Sequence, residues 1–217
     1  MENLLLEQTL LFRGMRPEEI AQAQAALHAR EKTYKKDEAI LLAGTPTAWM
    51  GMITRGGATI ESTDLWGNRT ILSHVGRGQC FAETYAFLTE ETVPVDVIAS
   101  EDSTVLFFKI GSLQAADGAE AWGRKLIVNL LTISAHKNLA LSARSFHTAS
   151  KHVRGRIMAY LNTVSLQKRA KSFAIPFDRQ QLADYLNVER TALSKELGRM
   201  RREGLVECRK NQFRLLV

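Results

Sequence analysis

Arg190, Thr191, Ser194 and Lys195 lie close together in LADYLNVERTALSKELGRMRREGL, residues 182–205, and their side chains suit the edges of DNA bases. Arg and Lys donate to guanine O6 and N7, while Ser and Thr serve either a base edge or a phosphate. Whether the four share one face depends on the apolar residues between them. Leu182, Ala183, Leu186, Val188, Leu193, Leu197 and Met200 recur at three- and four-residue steps on either side of Asn187, as two helices on one core require. With Leu193 and Leu197 turned inward, the four polar residues fall together on the opposite face of the second helix. Arg199, Arg201 and Arg202 follow them, suited to the phosphate backbone, and Arg179 near the start of the first helix is a further candidate contact. The competing reading is a solvated face of a small helical subdomain, because any surface helix carries charge.

Local signals place these helices. In FDRQQL, Asp178 is an N-cap with Gln181 three residues on, and Phe177 is set to staple against Leu182. Asn187 tolerates the left-handed conformation that a tight turn needs. After Gly204, Leu205, Val206 and Cys208, a Lys210-Asn211 turn, and then Phe213, Leu215 and Val217 read as a β-hairpin. Residues 147–217 therefore read as a winged helix-turn-helix. They carry 15 Lys and Arg against 6 Asp and Glu, whereas residues 1–146 carry 14 against 17, so only the back of the chain is expected to meet a polyanion.

Residues 33–110 have a different character. AILLAG, MGMITRGGATIES, RTILSHVG and VDVIASEDSTVLFFKI are short β-rich runs bounded by Gly, Asp and Asn, as in a small antiparallel barrel or jelly roll. Gly67 and Asn68 suit a hairpin tip, and RPEEIAQAQAALH starts a short helix with Pro17 and two acids, outside the barrel. Between barrel and wing, residues 118–146 form the longest helical pattern. Leu126, Leu130, Ile133, Lys137, Ala140 and Arg144 follow a 4-3-4-3-4 spacing, and Ile127, Leu131 and Leu141 add a second apolar strip. A helix that pairs two subunits is the expected use, with burial against its own barrel as the alternative.

The fold class is thus α+β: a β-roll at 1–117, a dimerisation helix at 118–146 and the winged helix-turn-helix at 147–217. Cys80 and Cys208 lie in different halves with no CxxC or zinc spacing, so neither a disulfide framework nor a zinc site is indicated. The N-terminal MENLLLEQTLLFRG lacks the pattern of a signal peptide, and no stretch reaches the length of a membrane span, so a cytoplasmic protein with no membrane partner is expected.

This order of parts resembles the Crp/Fnr superfamily, the bacterial transcription factors related to the cyclic AMP receptor protein and the fumarate-nitrate reduction regulator. The resemblance covers nearly the whole chain and is carried by YKKDEAILLAG, ITRGGATI, GRGQCFAE, VIASEDSTVLFF and, most specifically, RQQLADYLNVERTALSKELGRMRREGLV. It implies a homodimer on a palindromic operator in double-stranded DNA, gated by a small-molecule effector, with RNA polymerase as a partner in activation.

Departures from the family pattern limit what carries over. The Gly-Glu-Leu segment that holds ribose and phosphate in cyclic AMP-binding members reads Ala82-Glu83-Thr84 here, and the Arg-Ser phosphate clamp falls on Val93-Pro94. A phosphate there loses charge-assisted hydrogen bonds worth roughly 1.5–3 kcal/mol each, so cyclic AMP is not the expected effector. Glu83, Thr84, Val93, Pro94 and Leu130 remain the candidate effector residues, in a pocket between barrel and long helix. Two cysteines cannot supply an iron-sulfur cluster. His74 and Cys80 lie where carbon-monoxide sensors of the family hold haem, but we read them as packing residues, so no cofactor is assigned.

In the recognition helix Arg190 matches the family pattern, Thr191 replaces a Glu, Lys195 replaces an Arg, and Ser194 matches the oxygen-sensing branch. The operator half-site is expected to differ where the missing Glu would accept from cytosine N4. Two other readings compete with this one. One is an effector-free DNA-binding protein with a structural roll. The other is a cupin-like metal enzyme, which the scattered His28, His74, His136, His147 and His152 disfavour.

Overall fold

The computed structural model describes residues 6–63, 66, 69–88, 90–115 and 121–216. The chain divides into two compact units, Met1–Ser134 and Ala135–Val217. The expected hairpin tip at Gly67 and Asn68, the boundary expected at 117/118, and Val217 lie outside the described residues.

In the first unit, α1 (Pro17–Ala26) precedes eight strands: β1 (Arg30–Tyr34), β2 (Ala39–Leu41), β3 (Met50–Arg55), β4 (Ala58–Thr63), β5 (Arg69–Val75), β6 (Cys80–Phe81), β7 (Asp96–Ala99) and β8 (Ser103–Phe108). They form two antiparallel sheets, ordered β1-β8-β3-β6 and β2-β7-β4-β5. The VLFF run on β8 is apolar throughout because both faces of its sheet are covered. Val105 and Phe107 point between the sheets with Tyr34, Ile53 and Phe81, while Leu106 and Phe108 join Met50, Met52, Phe12 and Ile20 on the outer side. Gly51 is required where β3 pairs with β6, since a Cβ there would run into the ring of Phe81, its cross-strand partner.

Two short helices, α2 (Glu83–Phe87) and α3 (Ser112–Ala115), flank the roll, and α4 spans Ala121–Thr148. The register of α4 differs from the expected seam. Leu126 and Ile133 are buried in the outer core of their own roll, with Leu130 against them, so this strip is closed within the chain. Lys125 pairs with the buried Glu19 of α1 at 2.7 Å, and the Asn129 amide donates to the Leu11 and Arg13 carbonyls at 2.9 and 3.0 Å. The Lys125 hydrogen bond and the Arg16 backbone N–H hold the Glu19 carboxyl below the usual range. The exposed apolar series is shifted by one residue: Ile127, Leu131 and Leu141, with Ser134, Asn138 and Ser145 completing a 4-3-4-3-4 spacing.

The second unit contains the end of α4, then α5 (Val153–Lys168), β9 (Ser172–Ala174), α6 (Arg179–Tyr185), α7 (Arg190–Arg202), β10 (Val206–Arg209) and β11 (Gln212–Leu215). Its sheet is ordered β10-β11-β9, so the expected hairpin gains a third strand. Ile157 and Leu161 of α5 meet Leu182, Leu186, Leu193 and Leu197 in a separate core. The α+β architecture of roll, long helix and winged helix-turn-helix is present in that order along the chain.

Candidate nucleic-acid interface and effector cleft

The start of α6 is fixed by reciprocal capping. Gln181 N–H donates to the Asp178 carboxylate at 2.8 Å, and Asp178 N–H donates to Gln181 Oε1 at 2.8 Å. Phe177 lies 5.0 Å from the Tyr185 ring within the same core as Leu182. Asn187 turns the chain at φ 53°, in the left-handed region.

Helix ends leave carbonyls short of intrahelical partners. At the end of α6 and in the turn after it, two guanidinium groups donate to such carbonyls, Asp184 O also accepting from Asn187 N–H at 3.2 Å. Arg144 of α4 donates to Tyr185 O at 3.2 Å and Asp184 O at 3.1 Å, and Arg156 of α5 donates to Leu186 O at 3.1 Å and Asn187 O at 2.6 Å. Cations here also complement the helix dipole. Arg154 of α5 grips α7 from behind, with Nε on Glu196 at 2.6 Å and both terminal nitrogens on Glu203 at 2.7 and 2.9 Å. That contact holds the Glu203 carboxyl below its ordinary value and raises the Arg154 guanidinium. Arg154 and Arg156 carry no sequence signal, and the spacing marks Arg144 only as a seam position, because their partners are main-chain carbonyls or acids remote in sequence.

Held in this way, α7 buries Leu193, Leu197 and Met200 and leaves Arg190, Thr191, Ser194 and Lys195 exposed together. Its N-cap, Glu189, makes no side-chain capping hydrogen bond. The other candidate cations have more specific surroundings. Arg179 is half-buried, donates to Lys210 O at 3.3 Å and lies 5.4 Å from the Phe213 ring centre, so it braces the wing turn. Arg199 pairs with Glu196 at 3.4 Å. Arg201 and Arg202 are exposed at the end of α7, and Arg201 lines a wing hollow with Arg209 and Arg214.

The first unit contains an apolar cleft of about 450 Å3. Glu83, Thr84, Phe87 and Leu88 come from α2 and its C-cap, Ile110 and Leu113 from around α3, and Ile127, Leu130, Leu131 and Ser134 from α4. Of the candidate effector residues, Glu83, Thr84 and Leu130 meet here. Val93 and Pro94 do not. Val93 is buried, exchanging backbone hydrogen bonds with Gly44 and Thr45 at 2.7 and 3.1 Å, and Pro94 is exposed elsewhere. An ungapped reading put them at the site, but the segment after α2 carries them to a backbone pairing with the 44–45 turn. Ala82, the position of the family's glycine, sits at φ 59°, a conformation glycine adopts without strain. His74 is exposed on β5 and Cys80 is buried on β6, in different sheets. Among the described residues no group of three or more His, Cys, Asp or Glu side chains is arranged to hold a metal ion. Nor is any described helix long and apolar enough to cross a membrane.

The sequence matches the cyclic nucleotide-binding domain family over residues 31–116 and the Crp-like helix-turn-helix domain family over residues 155–217. No curated protein sequence matches it. Among solved structures, OCPA-complexed CprK has a TM-score of 0.69 at 15% identity, covering 92% of each chain. The catabolite activator protein of Thermus thermophilus has a TM-score of 0.52 at 22% identity, covering 95% of this chain and 93% of that one. The c-di-GMP-responsive global regulator CLP of Xanthomonas campestris has a TM-score of 0.58 at 17% identity, covering 93% and 100%. At these identities the structural likeness speaks for the fold.

Proposed function

We propose that this chain, a DNA-binding transcription regulator that belongs to the Crp/Fnr superfamily and carries an effector-binding domain, acts as a homodimer on a palindromic operator. A small molecule in the cleft of the first unit gates it. Arg190, Thr191, Ser194 and Lys195 read base edges in the major groove, while Arg201 and Arg202 hold phosphates. The observation that carries this reading is the exposed polar face of α7, a helix that Arg154 fastens from behind through Glu196 and Glu203. Each subunit would insert one α7, so two-fold symmetry in the protein calls for two-fold symmetry in the DNA. Pairing through Ile127, Leu131 and Leu141 is supported by their exposure at heptad spacing, with Asn138 among them as a polar residue able to set register.

The test is selection of bound duplexes from a random-sequence DNA library by the full-length protein. The expected product is an enriched palindrome with half-sites about one helical turn apart, roughly 10 base pairs centre to centre. Recovery of DNA with no shared sequence, or of a single asymmetric site, would count against a homodimeric sequence reader.

A further inference from the structure

Among the described residues Arg209 and Lys210 take part in no ion pair, although Arg154, Arg199 and Arg214 of the same unit are all paired with acids. Both are exposed where β10 turns into β11, with Arg209 directly across from Gln212. This turn is built to stay in place. Arg179 donates to Lys210 O at 3.3 Å, the Asn211 amide donates to Ile175 O at 3.2 Å, and Ile175 N–H donates to Asn211 O at 2.9 Å. Ile175 belongs to the core of the second unit, so the tip is fastened to that core. Lys210 holds φ 54°, a conformation that its Cβ disfavours. A charged tip that is already ordered loses little conformational entropy on binding.

Resting on the DNA-binding reading above, we infer that the wing tip enters the minor groove adjoining the bases read by α7, where Arg209 selects A·T pairs and Lys210 seats on a phosphate at the rim. In a helix-turn-helix complex the second helix lies in the major groove and the first crosses the backbone beside it. Arg179 opens α6, the first helix, and touches the wing turn, which puts the tip at the strand between that major groove and the next minor groove. A·T pairs present only the acceptors adenine N3 and thymine O2 there, whereas G·C adds an amine donor that a guanidinium cannot pair with. A·T-rich stretches also narrow the groove and deepen its negative potential, which favours the weakly hydrated guanidinium over an ammonium. The helix and the wing therefore read one site from two grooves.

Anisotropy titrations use the full-length protein and the duplex most enriched by selection, with the pairs adjoining each half-site set as A·T, inosine·C, G·C or 2,6-diaminopurine·T. Inosine lacks the minor-groove amine of guanine and diaminopurine adds that amine to adenine, while each keeps its parent's major-groove edge. The native chain should bind A·T and inosine·C flanks about fivefold more tightly than G·C and diaminopurine·T flanks. Arg209→Ala should reduce that ratio to about twofold or less and leave the half-site preference of α7 in place. Lys210→Gly, which keeps the positive φ without strain, should weaken all four duplexes alike. Equal binding of the native chain to all four flanks, or a ratio that survives Arg209→Ala, overturns the inference and leaves the wing a phosphate contact only. The native comparison needs no variant, so misfolding cannot mimic its result. A repeating A·T duplex and its diaminopurine·T counterpart repeat the comparison without an operator. If selection enriches no sequence, the α7 reading fails and the wing's preference is still decided on that pair.

Discussion

His147, at the last turn of α4, has a defined protonation state. The Thr163 hydroxyl donates its one proton to Ala159 O at 2.9 Å, so its oxygen accepts from His147 Nε2 at 3.0 Å. In the neutral ring that burial favours, the proton then sits on Nε2 and Nδ1 accepts from Tyr185 OH at 2.9 Å. Burial lowers the His147 pKa below its ordinary value of 6.5. The unfolded chain therefore binds a proton first as pH falls. Stability of the second unit should be complete above about pH 6.5, decline as pH falls from there towards the lowered folded value, and level off beneath it. Denaturant titrations of the native chain and of His147→Gln across this range should differ in slope; parallel curves would show that the ring does not titrate as described. The candidate DNA readers are tested by salt titrations of anisotropy on the selected operator and on scrambled DNA. Arg190→Ala or Lys195→Ala should cost about 1–3 kcal/mol per half-site on the operator and little on scrambled DNA. Arg201→Ala should weaken both and reduce the salt slope by roughly one unit. Equal losses on both duplexes for the first two substitutions would make α7 a basic surface rather than a reader. The four candidates on α7 were legible because helical period alone fixes their face. The bracing roles of Arg144, Arg154 and Arg156 were not, since hydrogen bonds to distant carbonyls and carboxylates leave no periodic trace; the period marks Arg144 only as a seam position.

Among the elements, α4 carries the clearest lesson about heptads. The 126-130-133 series and the 127-131-134 series are both regular, and their spacing alone cannot say which one faces the chain's own core. Burial decides it: Leu126 is fully enclosed, while Leu131 and Leu141 are 68% and 69% exposed. Leu131→Glu with Leu141→Glu should therefore produce folded monomers by light scattering, with the roll intact by near-ultraviolet circular dichroism. A double variant that stays dimeric removes α4 as the pairing element. Leu126→Ala should instead destabilise the roll by about 2–5 kcal/mol, the usual cost of a large buried truncation. The start of α6 was readable to the residue, because Asp178 and Gln181 form a local signal. In contrast α5 begins at Val153 after His152, an N-cap with no side-chain capping hydrogen bond, and Gly155 lies in its first turn, so the sequence reading assigns no helix there. With three residues, β9 is too short to show any period.

At the scale of the molecule, the described residues form cores that do not mix. Two clusters lie within residues 6–133 and one within 157–215, and no cluster has members from both units. The charge division, acidic over residues 1–146 and basic over 147–217, falls near this partition and was visible in composition. Independent cores imply that the units can unfold in separate steps. The chain's own chromophores can distinguish them. Its three tryptophans, Trp49, Trp66 and Trp122, all belong to the first unit, while helices α5 to α7 contribute far-ultraviolet dichroism from the second. Tryptophan fluorescence should accordingly follow one denaturant transition, and dichroism should contain that transition and another. Ile157 is fully buried in the second core, so Ile157→Ala should lower the second transition by roughly 2–5 kcal/mol and leave the fluorescence midpoint in place. Leu126→Ala should do the reverse. One transition seen identically by both probes, and moved by either substitution, would mean that the continuous α4 couples the cores into a single cooperative unit. Any effector signal would then travel by global stability rather than by a shift between two separately folded units.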